Sequence, residues 1–230
     1  MGTYLHARPV LPDQGKLALD YAPGTEFSFE GPVGKRLQAN MEQWQLVAPY
    51  ANPGMLAMMR LRDRLPEPEL VWWAGEFVGK FLLSCIENWQ LTREPRLRGL
   101  IVTLVDRLEA LQAEDGYLGP FPKDRRLLGA WDLWGHYHIM MGLLTWYDLV
   151  GDERCLVISR RIADLVCATY LEQEKSLLEA GFPEMNLAII HSLGWLYRLT
   201  GEDRYLWQLK AIERDFEKAE IGRASCRERV

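Results

Sequence analysis

The sequence predicts an all-α protein whose helical hairpins form part of a closed toroid. Apolar residues recur at helical spacing through most of the chain. One turn occurs three times, as LTREPRL, LVGDERCL and LTGEDRYL, and its arginines, Arg96, Arg154 and Arg204, lie 58 and 50 residues apart. A repeat of this length is typical of stacked units that bury their faces on one another.

The first part of the chain is predicted to be irregular. Residues 1–35 are rich in glycine and proline, which predicts an extended arm. Residues 34–61 carry a helical pattern that Pro49 and Pro53 interrupt. We therefore expect an N-terminal arm over 1–35 and a helical domain over 36–219.

Three hairpins follow the arm. In each, the first helix is apolar on almost all sides and the second is amphipathic. The all-apolar helices are expected over 73–91, 131–150 and 184–200. Glycine after a helix and acidic residues at the start of the next one are the expected cap chemistry of the turns.

The helix over 131–150 is predicted to be the central element. Apolar residues surround it, so it should be covered on both sides. Its polar groups, Asp132, His136 and His138, lie in the first two turns. They indicate either a pocket at this end or a polar helix start that is simply solvated.

An open solenoid and a closed toroid both fit the hairpins, and the asymmetry within each hairpin favours the toroid. Parallel inner helices would then place their N-termini, and the long loops that precede them, on one rim. Aromatic, acidic and imidazole side chains from distant loops would meet there, as in a sugar-binding cleft. The candidate substrate-binding residues are Trp73, Glu76, Asp115, Tyr117, Trp131, Asp132, His136, His138 and Glu184, with Trp72 and Asn186 on the same rim.

Some of these residues also have a plain structural interpretation. Glu76 and Glu184 suit a helix start, where the dipole favours a carboxylate. Lys80 follows Glu76 by four residues, which predicts an ion pair within the helix. Two carboxylates across a cleft could act as acid and base in glycoside cleavage, but their separation decides the mechanism.

The histidines and the Asp115 turn also have structural interpretations. His136 and His138 point away from each other on a helix, so only one of them is expected to face the lumen. His191 is expected in the core. Asp115 and Gly116 form a turn signal, after which Tyr117 could be a packing residue.

Composition excludes several classes of function. The net charge of −5 argues against nucleic acid binding. No apolar run approaches the roughly 18 residues of a membrane span, and the start of the chain shows no secretory signal, so a cytoplasmic location is expected.

The four cysteines form no CxxC pair, so we expect no zinc ribbon, and Cys85, Cys155 and Cys167 should be inert core thiols.

Five stretches, WAGEFVGKFL, EDGYLGPF, WDLWGHYHIMMGLL, GFPEMNLAI and LYRLTGEDRYL, resemble the bacterial β-L-arabinofuranosidase-like glycoside hydrolases. The resemblance extends from about Gly34 to Ala219. It implies an (α/α)6 barrel of six hairpins, with His138 matching a sugar-contacting histidine. It also implies a cysteine nucleophile held by zinc and a glutamate acid/base, both in the later half of the barrel.

Residues 220–230, EIGRASCRERV, abandon the helical pattern and read like a translated sequencing adapter. We therefore expect that the native protein continues after Ala219 and that Cys226 is not a ligand. The function expected is the N-terminal part of a glycoside hydrolase that binds a carbohydrate, without a cofactor in this part. The alternatives are a sugar epimerase or lyase on the same barrel and a helical-repeat scaffold for a protein partner.

Overall fold

A computed structural model describes residues 9–12, 15 and 27–219 of the chain. Within them all regular structure is helical, which confirms the predicted all-α class. The α-helices are α1 (Gly31–Asn40), α2 (Ala48–Ala51), α3 (Gly54–Arg60), α4 (Glu76–Thr92), α5 (Pro95–Leu111), α6 (Asp132–Val150), α7 (Glu153–Val166), α8 (Pro183–Asn186), α9 (Ile189–Thr200) and α10 (Asp203–Ala219). Short π and 3-10 turns lie at Met41–Gln45, Lys123–Arg125, Cys167–Leu171 and Leu177–Ala180.

The element boundaries differ from the prediction at two places. Helix α1 begins at Gly31, inside the predicted arm, because Pro32 has no N–H and suits the first turn of a helix. The predicted helix over 184–200 is divided into α8 and α9. Residues 1–8, 13–14 and 16–26 of the predicted arm and the segment 220–230 lie outside the described residues.

Three hairpins, α4–α5, α6–α7 and α9–α10, form the domain as predicted. Each inner helix ends in a left-handed residue whose N–H donates to the carbonyl oxygen four residues earlier. The residue is Arg93 in the first hairpin and glycine, Gly151 and Gly201, in the other two. The turn repeat read from the sequence therefore corresponds to a repeated backbone conformation.

The repeated arginine also links each outer helix to the preceding outer helix or, for α5, to the π turn after α1. Its guanidinium reaches back across the outer surface to a carboxylate of the preceding unit. The pairs are Arg96 with Glu42 at 3.4 Å, Arg154 with Asp106 at 2.5 Å and Arg204 with Asp164 at 3.2 Å.

The inner helices α4 and α6 run parallel in close contact. A Cβ on Gly79 would lie 2.4 Å from the backbone carbon of His138, and one on Gly142 would lie 2.9 Å from Leu82. Further along, the rings of Trp89 and Trp146 are 5.1 Å apart. Because the contacts advance together along both helices, their N-termini share one end of the domain.

Helix α9 packs on the opposite side of α6 in the same direction. Ser192 donates to the sulfur of Met140, and the backbone N–H of Trp134 donates to Asn186 just before α9. Helix α6 is thus covered by α4 and α9 on its flanks and by α7 on the outside, as expected for a central element. The three inner N-termini form the predicted common rim.

The close contact at Gly79 gives a stability prediction. Gly79→Ala should lower the free energy of unfolding by about 2–3 kcal/mol, because the methyl group would force the two backbones apart. Urea denaturation measures the change.

Gly99→Ala is the matched control, since Gly99 lies within α5 with open space around it. That variant should be more stable than the wild type by about 0.5–1 kcal/mol. A Gly79→Ala variant as stable as the wild type would contradict the close contact.

Candidate functional site

One face of the inner helices near the rim is not covered by other described elements. On α6 it carries half-buried side chains at helical spacing, from Trp134 through Tyr137 and His138 to Met141. We call the side chains at the rim end of this surface the open face, and they are Glu76, Lys80, Trp134, Tyr137, His138 and His191.

Glu76 and Lys80 of α4 hold the indole of Trp134. The Trp134 Nε1–H donates to Glu76 Oε2 at 2.5 Å, and Lys80 Nζ contacts the same oxygen at 2.8 Å. The Lys80 ammonium also lies 5.3 Å from the centre of the Trp134 ring. The predicted Glu76–Lys80 ion pair is therefore confirmed, and it fixes the orientation of an aromatic ring.

Aromatic rings continue the open face from α6 to α9. The His138 ring lies 4.4 Å from Trp134 and 4.7 Å from Tyr137, measured between ring centres. The Tyr137 ring lies 6.0 Å from His191. Together they line a surface of flat rings with hydrogen-bonding edges.

His138 is uncharged at neutral pH. Burial, and then the Lys80 ammonium, lower the pKa of its imidazole to about 4, and the Glu76 carboxylate opposes this change. Its Nε2 atom is buried without a hydrogen-bond partner in the described structure. The Nε2 atom therefore has hydrogen-bonding capacity that the described residues do not use.

Tyr117, Asp132 and His136 form a buried cluster behind the open face. The Tyr117 hydroxyl donates to the Asp132 carboxylate at 3.0 Å, and each of the three side chains is at most 1% exposed. Burial, and then the adjacent Asp132 carboxylate, raise the pKa of Tyr117 well above its ordinary value. The structure gives these residues a supporting position and not one in contact with solvent.

The buried cluster attaches the long loop between α5 and α6 to the start of α6. The backbone N–H of Leu127 donates to Asp132 Oδ2 at 2.8 Å, and that of Leu118 donates to His136 Nε2 at 3.1 Å. Because Nε2 accepts, the His136 proton lies on Nδ1 and is donated to the Asp132 carbonyl oxygen at 2.8 Å. His136 and His138 thus point in different directions as expected, with His136 in the buried cluster and His138 on the open face.

Asp115 also lies away from the open face. Its Oδ1 accepts from the N–H of Tyr117, which forms the predicted turn, and its Oδ2 pairs with Arg126 at 2.7 Å. The side chain therefore stabilises the loop.

The remaining predicted residues lie at the rim. Trp73 is 49% exposed and packs on Trp131, with ring centres 6.1 Å apart. Glu184 is exposed on α8, close in sequence to Asn186, which accepts from the N–H of Trp134 at 3.3 Å. Glu76, His138 and Glu184 therefore belong to the same end of the domain.

Sequence reasoning missed several residues of the open face. His191 was expected in the core, which is wrong, because its side chain is exposed on α9. Trp134 is not among the residues predicted for the site, and Tyr137 lies in an apolar row of the predicted central helix. The available signal is the helical spacing of Trp134, Tyr137, His138 and Met141, but aromatic residues that line a binding surface have the same pattern as core residues.

The cysteines in this part of the chain do not suit metal binding. Cys85, Cys155 and Cys167 are buried, as predicted, and burial raises the pKa of Cys85 to about 12 and that of Cys167 to about 11. Among the described residues no group of three His, Cys, Asp or Glu side chains could hold a metal ion. The residues present therefore do not fit a zinc site, and Cys226 lies outside the described residues.

No helix in the described part of the chain has the length and apolar character that crossing a membrane requires.

Comparison with known proteins identifies similar sequences. The family model described as "Beta-L-arabinofuranosidase, GH127 catalytic domain" matches residues 36–219. The non-reducing end β-L-arabinofuranosidase of Bifidobacterium longum subsp. longum is 28% identical over 125 residues, which are 49% of this chain and 18% of that protein.

Two solved structures share the fold. A GH127 β-L-arabinofuranosidase from Geobacillus stearothermophilus T6 has a TM-score of 0.57 at 21% identity, covering 82% of this chain and 32% of its own. A GH127 β-arabinofuranosidase has a TM-score of 0.57 at 19% identity, covering 78% of this chain and 31% of its own. This chain thus spans about a third of their length.

The buried cluster generates a stability prediction. Tyr117→Phe should lower the free energy of unfolding by about 1–3 kcal/mol, because the hydroxyl donates to Asp132 and accepts from the N–H of Phe121. Thermal or urea unfolding measures the loss. Tyr50→Phe is the control, since Tyr50 is 86% exposed; equal stability of the two variants would show that the cluster contributes nothing.

The environment of His138 generates a second prediction. NMR titration should show that His138 remains neutral as the pH falls from 7 to 5, whereas an unperturbed histidine protonates near pH 6.5. Because the unfolded chain then binds a proton that the folded protein does not, this residue should make the protein less stable as the pH falls through that range.

The His138→Gln variant lacks the His138 imidazole resonance, so the signal that disappears from the NMR spectrum is that of His138. The same variant should lose less stability between pH 7 and pH 5 than the wild type. A His138 resonance that titrates near pH 6.5 would contradict the account.

Proposed function

The chain belongs to the GH127 β-L-arabinofuranosidase family, and on that basis we propose that it is the N-terminal, sugar-binding part of a glycoside hydrolase. The substrate proposed is a glycoside with a terminal β-L-arabinofuranosyl residue, as the name of the Bifidobacterium relative states for that enzyme. Because this chain spans about a third of the solved relatives, we also propose that the active enzyme is a longer protein that contains residues 36–219.

The observation that carries this proposal is the open face, where Trp134 and His138 lie beside Glu76. Sites for small molecules combine apolar, aromatic walls with a few fixed polar groups. Here the ring of Trp134 is held by two α4 side chains, and the orphan Nε2 of His138 lies next to it. Rings of this kind suit the C–H surface of a sugar, and the polar edges suit its hydroxyl groups.

The open face is suited to binding and orienting the terminal sugar. His138 is neutral at pH 7, so one ring nitrogen can accept from a hydroxyl and the other can donate. Glu76 uses Oε2 for both Trp134 and Lys80, so Oε1 takes part in neither contact and is suited to a sugar hydroxyl. Fixing a substrate between such groups lowers the entropic barrier of the reaction.

Cleavage itself requires an acid and a base, or an acid and a nucleophile. The family resemblance assigns these groups to the later half of the barrel, and the cysteines described here are buried. In the proposed mechanism, the present residues hold the terminal ring while groups from the other half act on its anomeric carbon.

The test uses the full-length gene product and an aryl β-L-arabinofuranoside. The wild type should release free arabinose. His138→Ala should lower kcat/KM about 10- to 100-fold, because hydrogen bonds to the sugar are lost. The control, Lys210→Ala, changes an exposed residue of α10 and should have wild-type activity.

Product analysis distinguishes the other functions. An epimerised sugar would identify an epimerase and an unsaturated sugar a lyase. A wild-type protein that neither binds nor converts any glycoside would indicate a helical scaffold. An unchanged rate for His138→Ala would exclude His138 from the site.

A further inference from the structure

Two adjacent tryptophans at the rim are exposed. Trp72 is 61% exposed and Trp73 is 49% exposed, although both lie immediately before α4 in a segment whose next residue, Ala74, is buried. Exposed apolar residues that are contiguous, unlike ones scattered singly, mark interaction sites. We call these two residues the tryptophan platform.

Each ring of the platform is supported by another aromatic ring. The Trp72 ring packs on Phe182 with 5.4 Å between ring centres, and the Trp73 ring packs on Trp131 with 6.1 Å. Phe182 precedes α8 and Trp131 precedes α6, so the platform is held by the loops of two other inner helices. The supporting contacts restrict the rotamers of both tryptophans and leave ring surface exposed to solvent.

The backbone of the platform is fixed as well. The N–H of Trp131 donates to the Trp72 carbonyl oxygen at 2.9 Å. Gly75 follows with a φ of +100°, and a Cβ at that position would lie 2.9 Å from the Pro120 ring. A platform held in one orientation before a ligand arrives loses little entropy on binding.

The position of the platform relates it to the open face. The N–H of Glu76 donates to the Trp73 carbonyl oxygen at 3.3 Å, so the platform lies just outside the turn that places Glu76. The open face and the tryptophan platform both lie at the amino ends of the inner helices, so a saccharide whose terminal ring lies against Trp134 and His138 can extend toward this rim. Its next sugar ring would therefore pass the exposed tryptophans.

From this geometry we propose that Trp72 and Trp73 bind the sugar ring next to the terminal residue, which is the leaving group of the cleavage. The ligand is thus an oligosaccharide and not a simple glycoside. This inference rests on the proposed function, because it assumes that the terminal ring occupies the open face. A polar sugar ring with one apolar C–H surface is the ligand that an exposed indole supported from behind suits best.

The experiment compares two ligands of the full-length protein by calorimetric binding. One is methyl β-L-arabinofuranoside, which has no second ring, and the other is a disaccharide with β-L-arabinofuranose at its non-reducing end. The wild type should bind the disaccharide more tightly. In the double variant Trp72→Ala/Trp73→Ala, the ratio of the two affinities should fall about tenfold.

Two further variants control for folding and for the loss of a tryptophan. Trp207→Ala removes a residue that is 57% exposed on α10 and should leave the ratio at its wild-type value. Trp73→Phe retains an aromatic ring and should retain part of the preference for the disaccharide. Melting temperatures of all variants identify any that fail to fold.

Each other outcome overturns the inference in a recognisable way. Equal affinity of the wild type for both ligands would show that no second ring is bound. If the double variant lost the same factor of affinity for both ligands, the tryptophans would support the terminal-ring site or pack against the rest of the protein. Hydrolysis of the methyl glycoside by the wild-type protein tests the proposed function separately. The proposed function is therefore retained if only the platform proposal is contradicted. Failure of the wild type to bind either ligand would overturn both.

Discussion

The close contact of α4 and α6 at Gly79 is the constraint on which the rest of the structure depends. No side chain other than hydrogen fits there, because the backbone of His138 and Ile139 lies within 2.4 Å of an added Cβ. One helical turn closer to the rim, the close packing of α4 on α6 brings Glu76 into hydrogen-bonding contact with Trp134. It also places the Lys80 ammonium over the Trp134 ring. The spacing of the two helices therefore determines the geometry of the open face.

Behind the open face, buried polar side chains hold the loop before α6 in place and do not contact solvent. Asp132 lies at the first turn of α6, where the helix dipole favours its charge, and its carboxylate accepts from Tyr117 and Leu127. It holds a long loop against the end of the central helix. The rim residues consequently sit on a rigid base, which is the condition under which exposed rings such as Trp72 can be oriented in advance.

The sequence was sufficient for the hairpins, the common rim and the Glu76–Lys80 pair, because helical spacing and turn chemistry are local properties. Burial was harder to predict. Asp132 and His136 have the residue types of a binding site, but the residues that cover them, Tyr117 and Leu118, lie 15 and 18 residues earlier in the chain. His191 differs in the opposite direction: it was predicted to be a core residue but is exposed, because rings that line a binding surface cannot be distinguished from core residues by periodicity alone.

The central claim is that the inner helices present one sugar-binding face at their amino ends. A crystal structure of the full-length protein with L-arabinose tests it most directly. The account predicts the sugar between Trp134 and His138, with a hydroxyl within hydrogen-bonding distance of Glu76. A sugar bound elsewhere, with this face in contact only with other parts of the protein, would contradict it.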